Sequence, residues 1–257
     1  MIPASRRITA AVIVLAALFG VPGELFAQIR VVISGGFRGA YEELLPEFEK
    51  TSGLTVTTAT GGSVGSGPNT IGGQLRSGVA ADVVILAREG LTELIGEGRI
   101  AKGSDVDLAR SDIGMIVRAG APKPDISTVD ALKQTLLRAK SVAMSTSTSG
   151  VYLTKTLFPK LGIADAMAGK VIMSGSAAVG RGEAEIGLQQ VSEVMRVPNA
   201  DFVGRIPADV QYETIYSAAV VAGSAHLEQA RRLIAFLSSA GAAPAIARSG
   251  LDPIRRP

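Results

Sequence analysis

Short β-branched runs, each closed by a glycine- or serine-rich turn and followed by helical periodicity, recur along this chain and restrict it to an α/β fold. The segment Val31–Tyr41, VVISGGFRGAY, states the pattern first. Ile29–Ser34 reads as a buried strand and Ser34-Gly35-Gly36 as the break. Gly39–Thr51 reads as a helix with Tyr41, Leu44, Leu45 and Phe48 on its apolar side. Such a unit aims backbone N–H groups at whatever sits before the helix, which suits an anion. Arg38 stands in the turn and adds a permanent charge on a planar donor fork.

The pattern continues with strands over Leu54–Thr60 and Ala81–Ala87, helices over Thr70–Ser77 and Arg88–Glu97, and a glycine-serine loop, Gly61–Asn69. Ile113–Val117 is then a strand with no helix before it, and Gly120-Ala121-Pro122-Lys123-Pro124 breaks the chain. A second series follows: helix Thr128–Ala139, strand Ser141–Ser145, hydroxyl loop Ser145–Gly150, helix Val151–Leu161 and strand Ile186–Gln190. Gln211–Val221 is a long β-prone return segment, and Ala230, Leu233, Ile234 and Leu237 give the following helix its apolar face. The expected architecture is two α/β lobes with a ligand cleft between them. Residues 28–110 open the first lobe, 111–212 form the second, and 213–257 return to the first. A single doubly wound domain is the alternative.

Arg6 and Arg7, the apolar run Ile8–Val21 and the small residues before Gln28 form a cleavable signal peptide over residues 1–27. The run is too short for a comfortable membrane span. A periplasmic monomer without stable membrane insertion is therefore expected, mature from about Gln28. That leaves 230 of the 257 residues, enough for two modest lobes. The formal charge of +3 becomes +2 once Arg6, Arg7 and Glu24 are set aside, and the basic residues form no stripe, so no nucleic-acid partner is expected. There is no cysteine and one histidine, His226, which removes thiolate and multi-histidine metal sites and the Ser-His-Asp triad from consideration. No metal and no cofactor are expected.

Ligands of open parallel sheets sit outside the carboxyl ends of the strands. Those ends carry Ser34, Gly35, Gly36 and Arg38, then Ser63, then Arg88. In the second lobe they carry Ser147, Ser149 and Gly150 beside Tyr152, then Ser176, then Gln190. Hydroxyls, backbone amides and two arginines are all donors. Acids are missing from these loops apart from Glu89 at a helix start. Donors without carboxylates fit a small anion. Ser34–Gly39 lacks the dinucleotide spacing, the second strand ends without an acid, and no phosphate-loop motif is present.

The signal peptide, VVISGGFRGAYEELLPEFEKTSG, GQLRSGVAADVVILA and STSTSGVYLTKTLFPKLGI together resemble the molybdate-type periplasmic solute-binding proteins of ABC importers. The resemblance covers nearly all of the mature chain. It implies the two-lobed type II periplasmic binding fold, an oxyanion held in the cleft by hydroxyls and amides, and an ABC permease as partner. It places first-lobe contacts on Gly36, where the family usually has serine, and on Ser63. Second-lobe contacts fall on Ser149, the Gly175–Ser176 turn, and Gln190, where molybdate binders have tyrosine. Arg38 and Arg88 are additions, and they shift the expected guest toward a di- or tricarboxylate. A related branch of this fold isomerises aconitate, so an isomerase is the alternative to a binding protein. Proton transfer needs a base. Within the predicted loops only Tyr152 or a serine could serve, unless folding brings Glu89, Glu193 or Glu213 near. The carboxylate-poor cleft favours binding.

Overall fold

The computed structural model describes residues 28–254. The proposed signal peptide and its cleavage point lie outside the described residues.

Two sheets carry the structure. The first contains β1 (Gln28–Ile33), β2 (Thr55–Thr60), β3 (Val83–Ala87), β4 (Val106–Ser111), β10 (Thr214–Val220) and β11 (Asp252–Pro253), in the order β11-β4-β10-β3-β1-β2. The second contains β5 (Ile113–Arg118), β6 (Val142–Ala143), β7 (Val171–Ile172), β8 (Ile186–Gln190) and β9 (Ala200–Arg205), in the order β7-β6-β8-β5-β9. β1 pairs in parallel with β2 and β3, while β10 runs antiparallel between β3 and β4. Parallel pairing recurs where β6 meets β7 and β8. The chain leaves the first sheet at Ser111 and enters the second at Ile113, so the step between them is Asp112. It returns between Arg205 and Thr214.

Each sheet is covered on both faces. Along β3, Val83, Ile85 and Ala87 enter one cluster and Val84 and Leu86 the other, as the two-residue side-chain period requires. That is why VVILA reads as an unbroken apolar run. Each large side chain buried this way contributes about 1.5–3 kcal/mol. Ile113, Met115 and Val117 of β5 do the same for the second core.

The helices that frame the cleft start earlier than their sequences suggest. α1 runs from Gly35 to Ser52, so Gly35 and Gly36 are its first residues and Arg38 lies in its first turn. These glycines serve close approach to neighbouring side chains, not a loop. α1 buries Phe37, Ala40, Tyr41, Leu44 and Phe48 and ends at Gly53, whose φ of 70° suits glycine. α2 (Ile71–Arg76), α3 (Arg88–Gly96) and α4 (Val129–Arg138) fall where periodicity puts them. α5 begins at Thr148, not Val151, and continues through a π-helical turn at Leu153–Leu157 into Phe158–Lys160. Gly150 is inside it because a Cβ there would overlap the Ser145 carbonyl oxygen. A short helix absent from the sequence reading, Val191–Val194, follows β8 directly.

Candidate functional site

The N-termini of α1 and α5 come from different sheets and open into one cavity of about 510 Å³. Ser34, Gly35, Gly36, Arg38 and Ser63 line it from the first lobe, and Ser147, Ser149 and Gln190 from the second. The Ser63 N–H donates to Ser147 Oγ across the cavity at 3.2 Å, while the Ser63 hydroxyl accepts from the Ala87 N–H at 3.0 Å.

Two helices, α2 and α4, carry side-chain caps. Thr70 accepts from the Gly73 N–H, and Thr128 from the Ala131 N–H. At α1 and α5, Ser34 and Ser147 make no such bond. Among the described residues, the buried polar side-chain atoms without a partner are Ser34 Oγ, Thr148 Oγ1, Gln190 Oε1 and Arg76 Nη1. The first three belong to residues that line this cavity. Buried polar groups are ordinarily paired, so three orphans in one cavity leave polar capacity that a polar guest can satisfy. Gln190 is held by donating from Nε2 to Thr214 Oγ1 at 2.7 Å, which leaves its Oε1 free.

Arg38 lines the cavity with its side chain about half exposed. Its Nε donates to Glu42 Oε1 at 2.5 Å, and Glu42 Oε2 accepts from Arg196 Nη2 at 2.6 Å. The two guanidinium groups hold the Glu42 carboxyl below the usual carboxylate range. Arg196 follows the Val191–Val194 helix, so this chain of charges ties α1 to the second lobe.

Four of the residues proposed from sequence lie elsewhere. Arg88 does not line the cavity: it points to Asp105, at 2.7 Å, and to Asp107, two acids that satisfy its fork. Gly150 sits behind the cavity wall against Ser145. Tyr152 stacks on Tyr212 with ring centroids 4.8 Å apart and donates to the Val210 carbonyl at 2.8 Å. Burial raises its phenol, so it is no base for this cleft. Ser176 acts through its backbone, donating to Gln189 Oε1 at 2.9 Å.

The cavity does hold an acid. Glu193, in the helix after β8, brings its carboxyl against the start of α1. Burial pushes this carboxyl up to about 7, with a Gln189 hydrogen bond pulling the other way. Beside it, Tyr216 of β10 turns its hydroxyl into the same cavity. Burial first, then the charges of Glu193 and Glu89, raise that phenol well above its ordinary value. Glu89 and Glu213 are engaged elsewhere, with the Tyr212 hydroxyl and Arg110 respectively. The signal that could have found Glu193 is its place three residues beyond Gln190, in the first turn after a buried strand, where ligand contacts collect. Tyr216 lies inside a strand, and no local pattern marks it.

Ionised, Glu193 accepts a proton; protonated, it returns one; and the surrounding donors hold negative charge. A group that titrates near neutral pH is suited to both directions of transfer.

The chain is 45% identical over 230 residues to an aconitate isomerase from Pseudomonas sp, covering 88% of each chain. The periplasmic molybdate-binding protein of Azotobacter vinelandii superposes with a TM-score of 0.69 at 20% identity, over 87% of this chain and 98% of that one. The sulfate-binding protein SubI of Mycobacterium tuberculosis gives 0.68 at 20% identity, over 89% and 87%. These two establish a shared fold. Residues 29–252 match the family described as bacterial extracellular solute-binding protein, and the chain belongs to that family.

Proposed function

We propose that this protein is a periplasmic isomerase that moves a proton on a small polycarboxylate, with aconitate as substrate. The observation that carries the reading is Glu193: a carboxyl that titrates near 7, set in a cavity otherwise lined by donors. A pure carrier of a polyanion gains nothing from a carboxylate facing its guest, because like charges repel. A proton-transfer enzyme needs one. The uncapped starts of α1 and α5 and the Arg38 fork give three separate places for carboxylates. The aconitate isomerase relative, at 45% identity over most of both chains, supports the same assignment.

The second reading is delivery of a small anion to an ABC permease. The family and the two-lobed fold favour it. One experiment separates the two. The secreted protein is incubated with cis-aconitate or trans-aconitate, and interconversion is followed by proton NMR while binding is followed by calorimetry. Interconversion that Glu193→Gln abolishes, with binding retained, supports the isomerase. Binding without interconversion in the unaltered protein overturns it in favour of the carrier.

A further inference from the structure

Tyr216 is only 3% exposed, and its ring belongs to the first-lobe core. The residue nevertheless lines the cavity, with its hydroxyl against the start of α1. The hydroxyl lies where a side chain on Gly36 would begin, since a Cβ at that residue would overlap the phenol oxygen. Glu193 holds the equivalent place against Gly35. Consecutive Cα atoms are about 3.8 Å apart, so the phenol and the carboxyl address neighbouring positions at one helix start. A phenol whose ring is fixed in the core and whose hydroxyl meets a polar cavity is a donor available to a ligand atom. It stays protonated across the range in which Glu193 titrates.

We propose that Tyr216 is a catalytic residue: its hydroxyl donates a hydrogen bond to the substrate carboxylate that becomes enolate-like when the adjacent carbon loses its proton. This rests on the isomerase reading above. The Glu193 carboxylate takes a proton from the carbon beside that carboxylate. The electron pair of the broken C–H bond spreads over the allylic carbons and the carboxylate oxygens. Tyr216 holds that charge and keeps its own proton. Glu193, now a carboxylic acid, returns a proton to the far allylic carbon, and the double bond has moved with no net change in atoms or electrons.

The test compares the unaltered protein, Tyr216→Phe, and a protein carrying 3-fluorotyrosine at 216, for kcat and KM with cis-aconitate and for melting temperature. Tyr216→Phe is expected to lose about 100- to 1,000-fold in kcat, with KM within about 3-fold and no loss of melting temperature. Fluorination keeps the ring and the hydroxyl but makes the phenol more acidic, so kcat is expected to change while KM does not. An active protein whose kcat ignores both changes overturns the role of Tyr216 alone. An unaltered protein that binds cis-aconitate without turnover overturns both this role and the isomerase reading.

Discussion

Glu193 reaches the start of α1 only because residue 35 is glycine: its Oε1 lies 2.5 Å from the point a Cβ on Gly35 would occupy. Gly35→Ala therefore displaces the carboxyl. At the first helical position alanine gains less than the roughly 1 kcal/mol it gains in a helix interior, and the displaced Glu193 side chain can swing away. The expected result is a protein of nearly unchanged stability, by urea denaturation, whose turnover of cis-aconitate falls at least 10-fold.

The ionisation of Glu193 sets the pH response. The proposed proton transfer needs the carboxylate, so kcat/KM should rise with pH through about 7 as one group deprotonates. Stability runs the other way. Below the ordinary carboxyl range the group is protonated folded or unfolded and has no effect. From about 4.5 up to about 7 the unfolded chain has lost a proton that the folded protein keeps, so stability falls as pH rises. Above 7 the folded protein carries the cost of a partly buried charge. Glu193→Gln should remove that burden, gaining on the order of 1–3 kcal/mol at pH 8 and little at pH 4. Chemical denaturation at the two pH values checks this.

The two arginines that look alike in sequence should part in experiment. Arg38→Ala removes a donor fork from the cavity and should weaken tricarboxylate binding about 10-fold or more. Arg88→Ala should leave affinity unchanged, since its guanidinium is held by Asp105 and Asp107. Its effect is on stability, about 1 kcal/mol for a partly exposed cluster. Calorimetric titration beside thermal denaturation of both variants gives the answer. Equal losses of affinity would return Arg88 to the cleft.

Tyr152→Phe should turn over substrate at the unaltered rate. Its hydroxyl bonds to Val210 and faces no cavity group, so the loss is structural, about 0.5–1.5 kcal/mol. A fall in kcat without a fall in stability would contradict this placement.

Much of the architecture is legible before any coordinates. The apolar strand ADVVILA, the hydroxyl loop at 145–150 and the Pro-Gly break after Arg118 announce two α/β lobes with a donor-lined cleft, because periodicity and turn chemistry act over a few residues. Gly35 and Gly36 are legible as special but not in the right sense. They read as a turn, whereas they are helical and small because Glu193 and Tyr216, more than 150 residues later, press against them. Arg88 fails for the same reason. Its partners, Asp105 and Asp107, lie outside the loops that sequence logic inspects. A local pattern shows that a donor exists; only packing across the chain shows what it faces.

The contrast between capped and uncapped helices has a thermodynamic meaning. α2 and α4 bring their own first acceptor, Thr70 and Thr128, whereas α1 and α5 leave that position to whatever occupies the cleft. An anion seated there would act as the N-cap of both helices, supplied from outside the chain. Occupancy and fold stability then become one quantity, with about 2.7 kcal/mol added at a hundredfold excess over Kd. A melting curve of this protein is thus also a titration, and the guest that raises it most is the one whose carboxylates best complete two unfinished helices at once.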